Sequence, residues 1–117
     1  MRDPFNLTPV PVMLAAAGKM ALSQAVETSD YDVVVATASV LALVGSSPNV
    51  TLRLIGSMSK DSEDGWIELA TFGPATAPTT LLLRGDKLLR YLRWELVVNS
   101  GTLTSVTFMV QGFLSAN

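Results

Sequence analysis

The sequence predicts an all-β fold, an antiparallel, jelly-roll-like β-sandwich of seven to eight strands. Runs of alternating apolar and polar residues, such as Val50 to Met58, have the two-residue period of a strand. Clusters of Gly, Pro, Asn and Ser separate these runs at regular spacing. Because a strand with one apolar face must bury that face against a second sheet, the pattern favours a sandwich.

Composition bounds the function. The 117 residues suit a single domain. The chain has no cysteine and no histidine, so it lacks the commonest general base and the commonest transition-metal ligands. Its net charge of −2 gives no long-range attraction to nucleic acid, and no apolar run has the length of a membrane helix. Only 15% of residues are charged, against roughly a quarter in typical domains, which indicates that a neighbouring subunit covers part of the surface.

The chain divides into an N-terminal arm and one domain. Residues 1–12 are predicted to form an extended, proline-containing arm, which either reaches a neighbouring subunit or frays, and residues 13–117 form one β-sandwich domain. Residues 13–27 fit either a helix, by their Ala, Leu, Met and Gln content, or two short strands around Ala17-Gly18-Lys19. We favour strands at Val12 to Ala16 and Met20 to Val26, because everything downstream is β.

Tyr31 to Val44 is a valine-rich strand that is apolar on both faces, so both faces require cover. One face holds Val34, Ala36, Ala38 and Val40, and the other holds Val33, Val35, Leu41 and Leu43. The later predicted strands are Val50 to Met58, Trp66 to Phe72, Thr79 to Leu83, Leu88 to Val98 and Leu103 to Phe113. Turns or loops are predicted at Gly45 to Asn49, Ser59 to Gly65, Gly73 to Pro78, Arg84 to Asp86 and Asn99 to Gly101.

The last two predicted strands form a hairpin through the turn Asn99-Ser100-Gly101. In the first of them, alternation places Leu92, Trp94, Leu96 and Val98 inside, with Tyr91, Arg93 and Glu95 on the opposite face. In the second, Val106, Phe108 and Val110 point inward. The two strands therefore contribute one apolar face each to the core.

Candidate chemical groups are few. Asp61, Glu63 and Asp64 form an acidic loop that is a weak Ca²⁺ candidate, although the EF-hand spacing is not met. Ser57 and Lys60 match a Ser-x-x-Lys pattern but lie at a strand end without partner motifs, so we predict no catalytic residue and no cofactor. The tripeptide Arg84-Gly85-Asp86 is better explained as a turn than as an adhesion motif. Trp66 and Tyr91 are candidates for stacking on a sugar ring.

Several segments together resemble a group of small tailed-bacteriophage virion proteins. They are the turn and strand from Gly45 to Leu52, the stretch from Gly56 to Trp66 with Leu69, Arg90-Tyr91-Leu92-Arg93, and the strand Val106 to Gly112. The resemblance covers Tyr31 to Phe113 and implies a jelly-roll-like module such as a capsid decoration protein or head fibre. The family usually carries Asp-Gly-x-x-Trp in its loop, whereas this chain has the shorter Asp64-Gly65-Trp66.

The leading hypothesis is therefore a non-enzymatic virion structural protein, a homo-oligomer that binds capsid or other virion proteins and neither nucleic acid nor membrane. The alternative is a β-sandwich module that binds a carbohydrate or a host receptor. The interface candidates lie on the arm and on the second face of the valine-rich strand: Phe5, Leu7, Val33, Val35, Leu41 and Leu43.

Overall fold

The computed structural model describes residues 2–8 and 10–116, with residues 2 and 3 given by their backbone alone. The predicted all-β antiparallel fold is confirmed, because the described residues form eight strands and no α-helix. A single turn of 3-10 helix covers Leu22–Gln24. The strands are β1 (Arg2–Asn6), β2 (Val12–Leu14), β3 (Gly18–Lys19), β4 (Val26–Glu27), β5 (Val33–Ser57), β6 (Ile67–Ala75), β7 (Thr79–Asp86) and β8 (Tyr91–Ser115).

Two strands of 25 residues each, β5 and β8, organise the sheet. They pair antiparallel from one end, where Val33 lies opposite Ser115, to the other, where Ser57 lies opposite Tyr91. On the far side of β5, β7 pairs with its first half and β6 with its second half. On the far side of β8, the short strands β1 to β4 pair in turn. All eight strands therefore belong to one antiparallel sheet.

This sheet folds over on itself to form the sandwich. The fold lies where β5 passes residues 45–49 and β8 passes residues 99–101, and the register between the two strands shifts there. Across the fold, the rings of Trp94 and Phe108 meet edge to face with their centroids 4.9 Å apart. We call β1, β2, β7, residues 33–44 and residues 103–115 the first layer, and β3, β4, β6, residues 50–57 and residues 91–98 the second layer.

The core lies between the two layers and is made by the alternation that the sequence shows. In the first layer Val34, Ala36, Ala38 and Val40 are buried, together with Val106, Phe108 and Val110. In the second layer the buried set is Val50, Leu52, Leu54, Leu92, Trp94 and Leu96. Residues directly opposite in an antiparallel pair share a face, which is why Leu54 and Trp94 both point inward. The inward positions on β8 were predicted correctly, and the buried residues on β5 were predicted correctly to share a face.

The predicted hairpin at Asn99-Ser100-Gly101 is wrong. Both of its strands belong to β8, and each half pairs with β5 rather than with the other half. A two-residue hairpin turn needs either a positive φ at both central residues or a glycine at the first of them, whereas here only Gly101 has a positive φ, of 77°. The result is a kink in a continuous strand. The predicted turn at residues 45–49 is likewise a kink within β5, with a positive φ of 50° at Ser47.

Other boundaries also differ. β7 continues to Asp86, so Arg84-Gly85-Asp86 ends a strand instead of forming the predicted turn. β6 continues through Pro74 to Ala75, so the predicted linker shortens to residues 76–78. β5 ends at Ser57, so Met58 no longer follows the alternation and its side chain is exposed.

The N-terminal residues are held on the sheet of the same chain. β1 pairs with the end of β8, and Thr8 Oγ1 accepts a hydrogen bond of 2.8 Å from the backbone N–H of Val110. Residues 13–27 contain strands and no α-helix, but the predicted strand bounds are wrong. The predicted turn Ala17-Gly18-Lys19 contains β3, and the predicted strand Met20 to Val26 contains the 3-10 turn. Contact of the arm with a neighbouring subunit remains a prediction.

Candidate functional site

The outward-facing surface of the first layer is apolar, and we call it the apolar face. On β5 the residues between the core positions point outward, and their opposite residues on β7 and β8 share that side. Val35 thus lies in a row with Arg84 and Phe113, and Thr37 lies in a row with Leu82 and Gln111. Leu82 is 75% exposed, which is the largest exposure of any large apolar side chain in the described residues.

A groove of about 590 Å³ runs across this face. It crosses four neighbouring strands, because its lining comes from β1, β8, β5 and β7. Ligand grooves are typically lined by apolar side chains with a few polar groups, and this lining is of that kind. The lining residues that carry the argument are Pro4, Val35, Thr37, Leu82 and Phe113.

Charge is confined to one end of the apolar face. Among the described side chains, Arg84 and Asp86 are its charged residues, and they pair with each other at 3.4 Å. The other polar groups are neutral: the hydroxyls of Ser39 and Thr80 lie 3.1 Å apart, and Thr37 Oγ1 donates to the carbonyl of Gln111 at 3.5 Å. A partner could therefore cover most of this face without burying an unpaired charge.

The outward-facing surface of the second layer is the opposite in character, and we call it the charged face. Four neighbouring strands present charges of alternating sign across it. Lys19 Nζ lies 3.8 Å from Glu95 Oε2, Arg53 Nε lies 3.5 Å from Glu95 Oε1, and Arg53 Nη1 lies 3.6 Å from Glu68 Oε1. Such exposed pairs add little stability each, but they keep this face hydrated. It has the composition of a solvent-exposed surface.

A buried arginine fastens the loop of residues 58–66 onto the charged face. Arg93 is only 1% exposed, although alternation places it on the outward side of β8. Its Nε donates to the carbonyl of Met20 at 2.7 Å, and its two terminal nitrogens donate to the Glu63 carboxylate at 3.0 and 3.2 Å. The guanidinium carbon lies 4.7 Å from the centre of the Trp66 ring. These contacts close the loop over the strand.

This arrangement makes the loop sensitive to acid. The hydrogen bonds from Arg93 hold the pKa of the Glu63 carboxyl below its ordinary value of 4.5. A depressed folded-state pKa contributes stability above the unfolded value, and that contribution is lost as pH falls through the folded value. We expect the free energy of unfolding of the wild type to fall more steeply below about pH 4.5 than that of Glu63→Gln.

Urea unfolding of both proteins from pH 7 to pH 3 measures this difference. Glu27→Gln is the matched control, since Glu27 is an exposed carboxylate that accepts a hydrogen bond from the neutral hydroxyl of Ser29. Parallel pH dependence in the wild type and Glu63→Gln would contradict the expectation.

The predicted interface residues divide between surface and core. Val35 and Leu41 are exposed on the first layer, and Leu43 is half-buried. Leu7 and Val33 are each only 3% exposed, so the structure does not present them to a partner. The half-buried Phe5 lies opposite Gly112 and packs against the core cluster. The reason is that the arm is itself a strand of the sheet, so its alternate residues point inward.

The predicted ligand sites are not assembled. Glu63 of the acidic loop is engaged by Arg93, and no three acidic side chains within residues 2–8 and 10–116 come together as a metal site. Tyr91 is only 9% exposed, with Lys60 and Arg90 beside its ring. Trp66 has Arg93 against one ring face. The buried Tyr91 ring therefore offers no open platform for sugar stacking, and the half-buried Trp66 ring has one face occupied.

Two features were missed by sequence reasoning. Arg93 was predicted on the open face, and nothing in the alternation shows that a loop returns to cover it. Leu82 was not chosen as an interface residue, although the run Leu81-Leu82-Leu83 places one leucine on the outward side of any strand. That run of leucines is the sequence feature from which an exposed leucine could have been predicted.

Comparison with known proteins finds no matching protein-family model and no matching curated protein. In the described part of the chain, none of the helical structure is long or apolar enough to cross a membrane.

Proposed function

We propose that this chain is a non-enzymatic structural subunit of a tailed-phage virion, of the capsid-decoration or head-fibre kind. It works by placing the apolar face of its first layer against capsid or other virion proteins. The observation that carries the proposal is the contrast between the two outward surfaces. The charged face has the alternating ion pairs of a hydrated surface, whereas the apolar face exposes Val35, Leu41, Leu82 and Phe113.

The energetics support a docking role. Burial of apolar surface contributes about 25 cal/mol per Å², and a standard specific interface covers about 800 Å² on each partner. The apolar face spans four strands, and the charges among its described side chains form one intramolecular pair at its end. Binding there would therefore have a small desolvation cost for charged groups.

The assignment to a virion rests on the resemblance to small tailed-phage proteins, to which the low fraction of charged residues adds support. A surface that becomes covered in an assembly needs fewer charges for solubility than the surface of a free monomer. The alternative, a carbohydrate-binding module, has less support, because Tyr91 is buried and Trp66 has the Arg93 guanidinium against one ring face.

The proposal is tested on the particles themselves. Virions encoded by the genome that carries this gene are purified on a density gradient, and the chain is quantified against the major capsid protein by mass spectrometry. We expect the chain to co-purify with the particles at a fixed ratio. Intact particles that contain none of it would reject the proposal.

A further inference from the structure

The first layer ends in an edge strand, β7, whose two charges, Arg84 and Asp86, lie at one end and leave its first five residues without protection against pairing. β7 hydrogen-bonds to β5 along one side, and no described strand pairs with its other side. An edge strand presents unpaired backbone N–H and C=O groups, and natural proteins block such edges with charges, prolines, bulges or very short strands. The stretch Thr79 to Leu83 of β7 contains no charged residue and no proline.

The other edges of the described sheet carry these protections. β6 contains Glu68 and Pro74, and its pairing with β5 is interrupted by register shifts. β1 contains Pro4, which has no N–H to donate. β2, β3 and β4 are only two or three residues long. The unprotected edge is therefore the one that borders the apolar face.

We propose that β7 pairs antiparallel with β7 of a second copy of this chain, around a two-fold axis at Leu82. The pairing joins two sheets into one and merges the two apolar faces into a single larger surface. This inference rests on the proposed function in one respect: it names a second copy of the chain as the partner along one border of the apolar face.

Charge and the exposure of Leu82 favour this register over one centred on Arg84. A two-fold axis through Leu82 places each Leu82 directly opposite its copy and places Arg84 opposite Thr80. Both sides of the joined sheet then keep their character, because opposite residues in an antiparallel pair share a face. Moving the axis to Arg84 would bring the two Arg84 side chains together, and like charges directly opposite are destabilising. The Leu82 register avoids that contact and pairs two exposed leucines.

The absence of cysteine from the chain permits a direct test. Opposite residues in an antiparallel pair have Cα atoms about 4.5 or 5.5 Å apart, within the range that a disulfide bridges. Leu82→Cys should therefore form a covalent dimer under mild oxidation, about tenfold or more faster than a cysteine at an unpaired surface position. Met58→Cys is the matched control, since Met58 is 64% exposed on the second layer.

Sedimentation supplies a second readout that needs no cross-link. We expect the wild type to sediment as a dimer and Leu82→Glu as a monomer with an unchanged circular dichroism spectrum, because two carboxylates would face each other. A monomeric wild type, or Leu82→Cys cross-linking no faster than Met58→Cys, would overturn the inference. Either result would leave the proposed function intact if the chain still occurs in purified virions, so the two failures are distinguishable.

Discussion

Replacing Arg93 by alanine is expected to lower the free energy of unfolding by about 3–5 kcal/mol. The side chain is almost fully buried, and its Nε donates a hydrogen bond to the backbone carbonyl of Met20. Truncation leaves the carbonyl of Met20 without the guanidinium donor and opens a cavity beside Trp66. The carboxylate of Glu63 is 56% exposed, so it can return to water and adds little to the loss.

Arg90→Ala is the matched control for this experiment. Arg90 lies three residues earlier and is exposed, and its guanidinium carbon lies 5.3 Å from the centre of the Tyr91 ring. Its loss should change the free energy of unfolding by about 0.5 kcal/mol or less. Guanidinium unfolding of the wild type and the two variants measures these free energies. Equal stabilities of the two variants would show that Arg93 does not hold the loop on the charged face.

Replacing Gly101 by alanine is expected to cost about 2–3 kcal/mol. Gly101 has a φ of 77°, which residues with a side chain adopt only at a cost. A Cβ at this position would also run into the carbonyl oxygen of Ser47 on β5, where the two kinked strands cross closely. Because the kink is where one sheet becomes two layers, strain there opposes the packing of the whole core.

Gly18→Ala separates this effect from the general effect of removing a glycine. Gly18 is also in a strand, but a Cβ there would meet only Leu14 Cδ1 at 3.6 Å, an ordinary contact. We expect that variant to be as stable as the wild type or slightly more stable, since alanine restricts the unfolded chain. Similar thermal midpoints for the two variants would contradict the role given to Gly101.

The core could be predicted from the sequence because it depends on local alternation. Trp94 and Phe108 were assigned inward and are buried, and Val34 and Ala36 were placed together on one face, which is the buried one. Strand propensity and turn residues likewise sufficed for the fold class. These features follow from the two-residue period of a strand, which any short window of sequence reveals.

The pairing could not be predicted in the same way, because it depends on contacts between distant residues. Asn99-Ser100-Gly101 has hairpin composition, yet both flanking segments find better partners in β5, about 50 residues earlier. The burial of Arg93 depends on a loop that starts more than 25 residues before it, as its bond to Glu63 shows. The pairing also decides which residues share each outward surface. The low fraction of charged residues therefore indicated that some surface is covered, but it did not show which one.

The apolar face, and not the charged face, is the binding surface that we propose. Val35→Glu places a charge in the lining of the groove, and Ile67→Glu places a charge at an exposed apolar position of the second layer. The two variants are compared by co-sedimentation with virions that lack the chain. We expect Ile67→Glu to bind like the wild type and Val35→Glu, folded by circular dichroism, not to bind; undiminished binding by Val35→Glu would contradict the proposal.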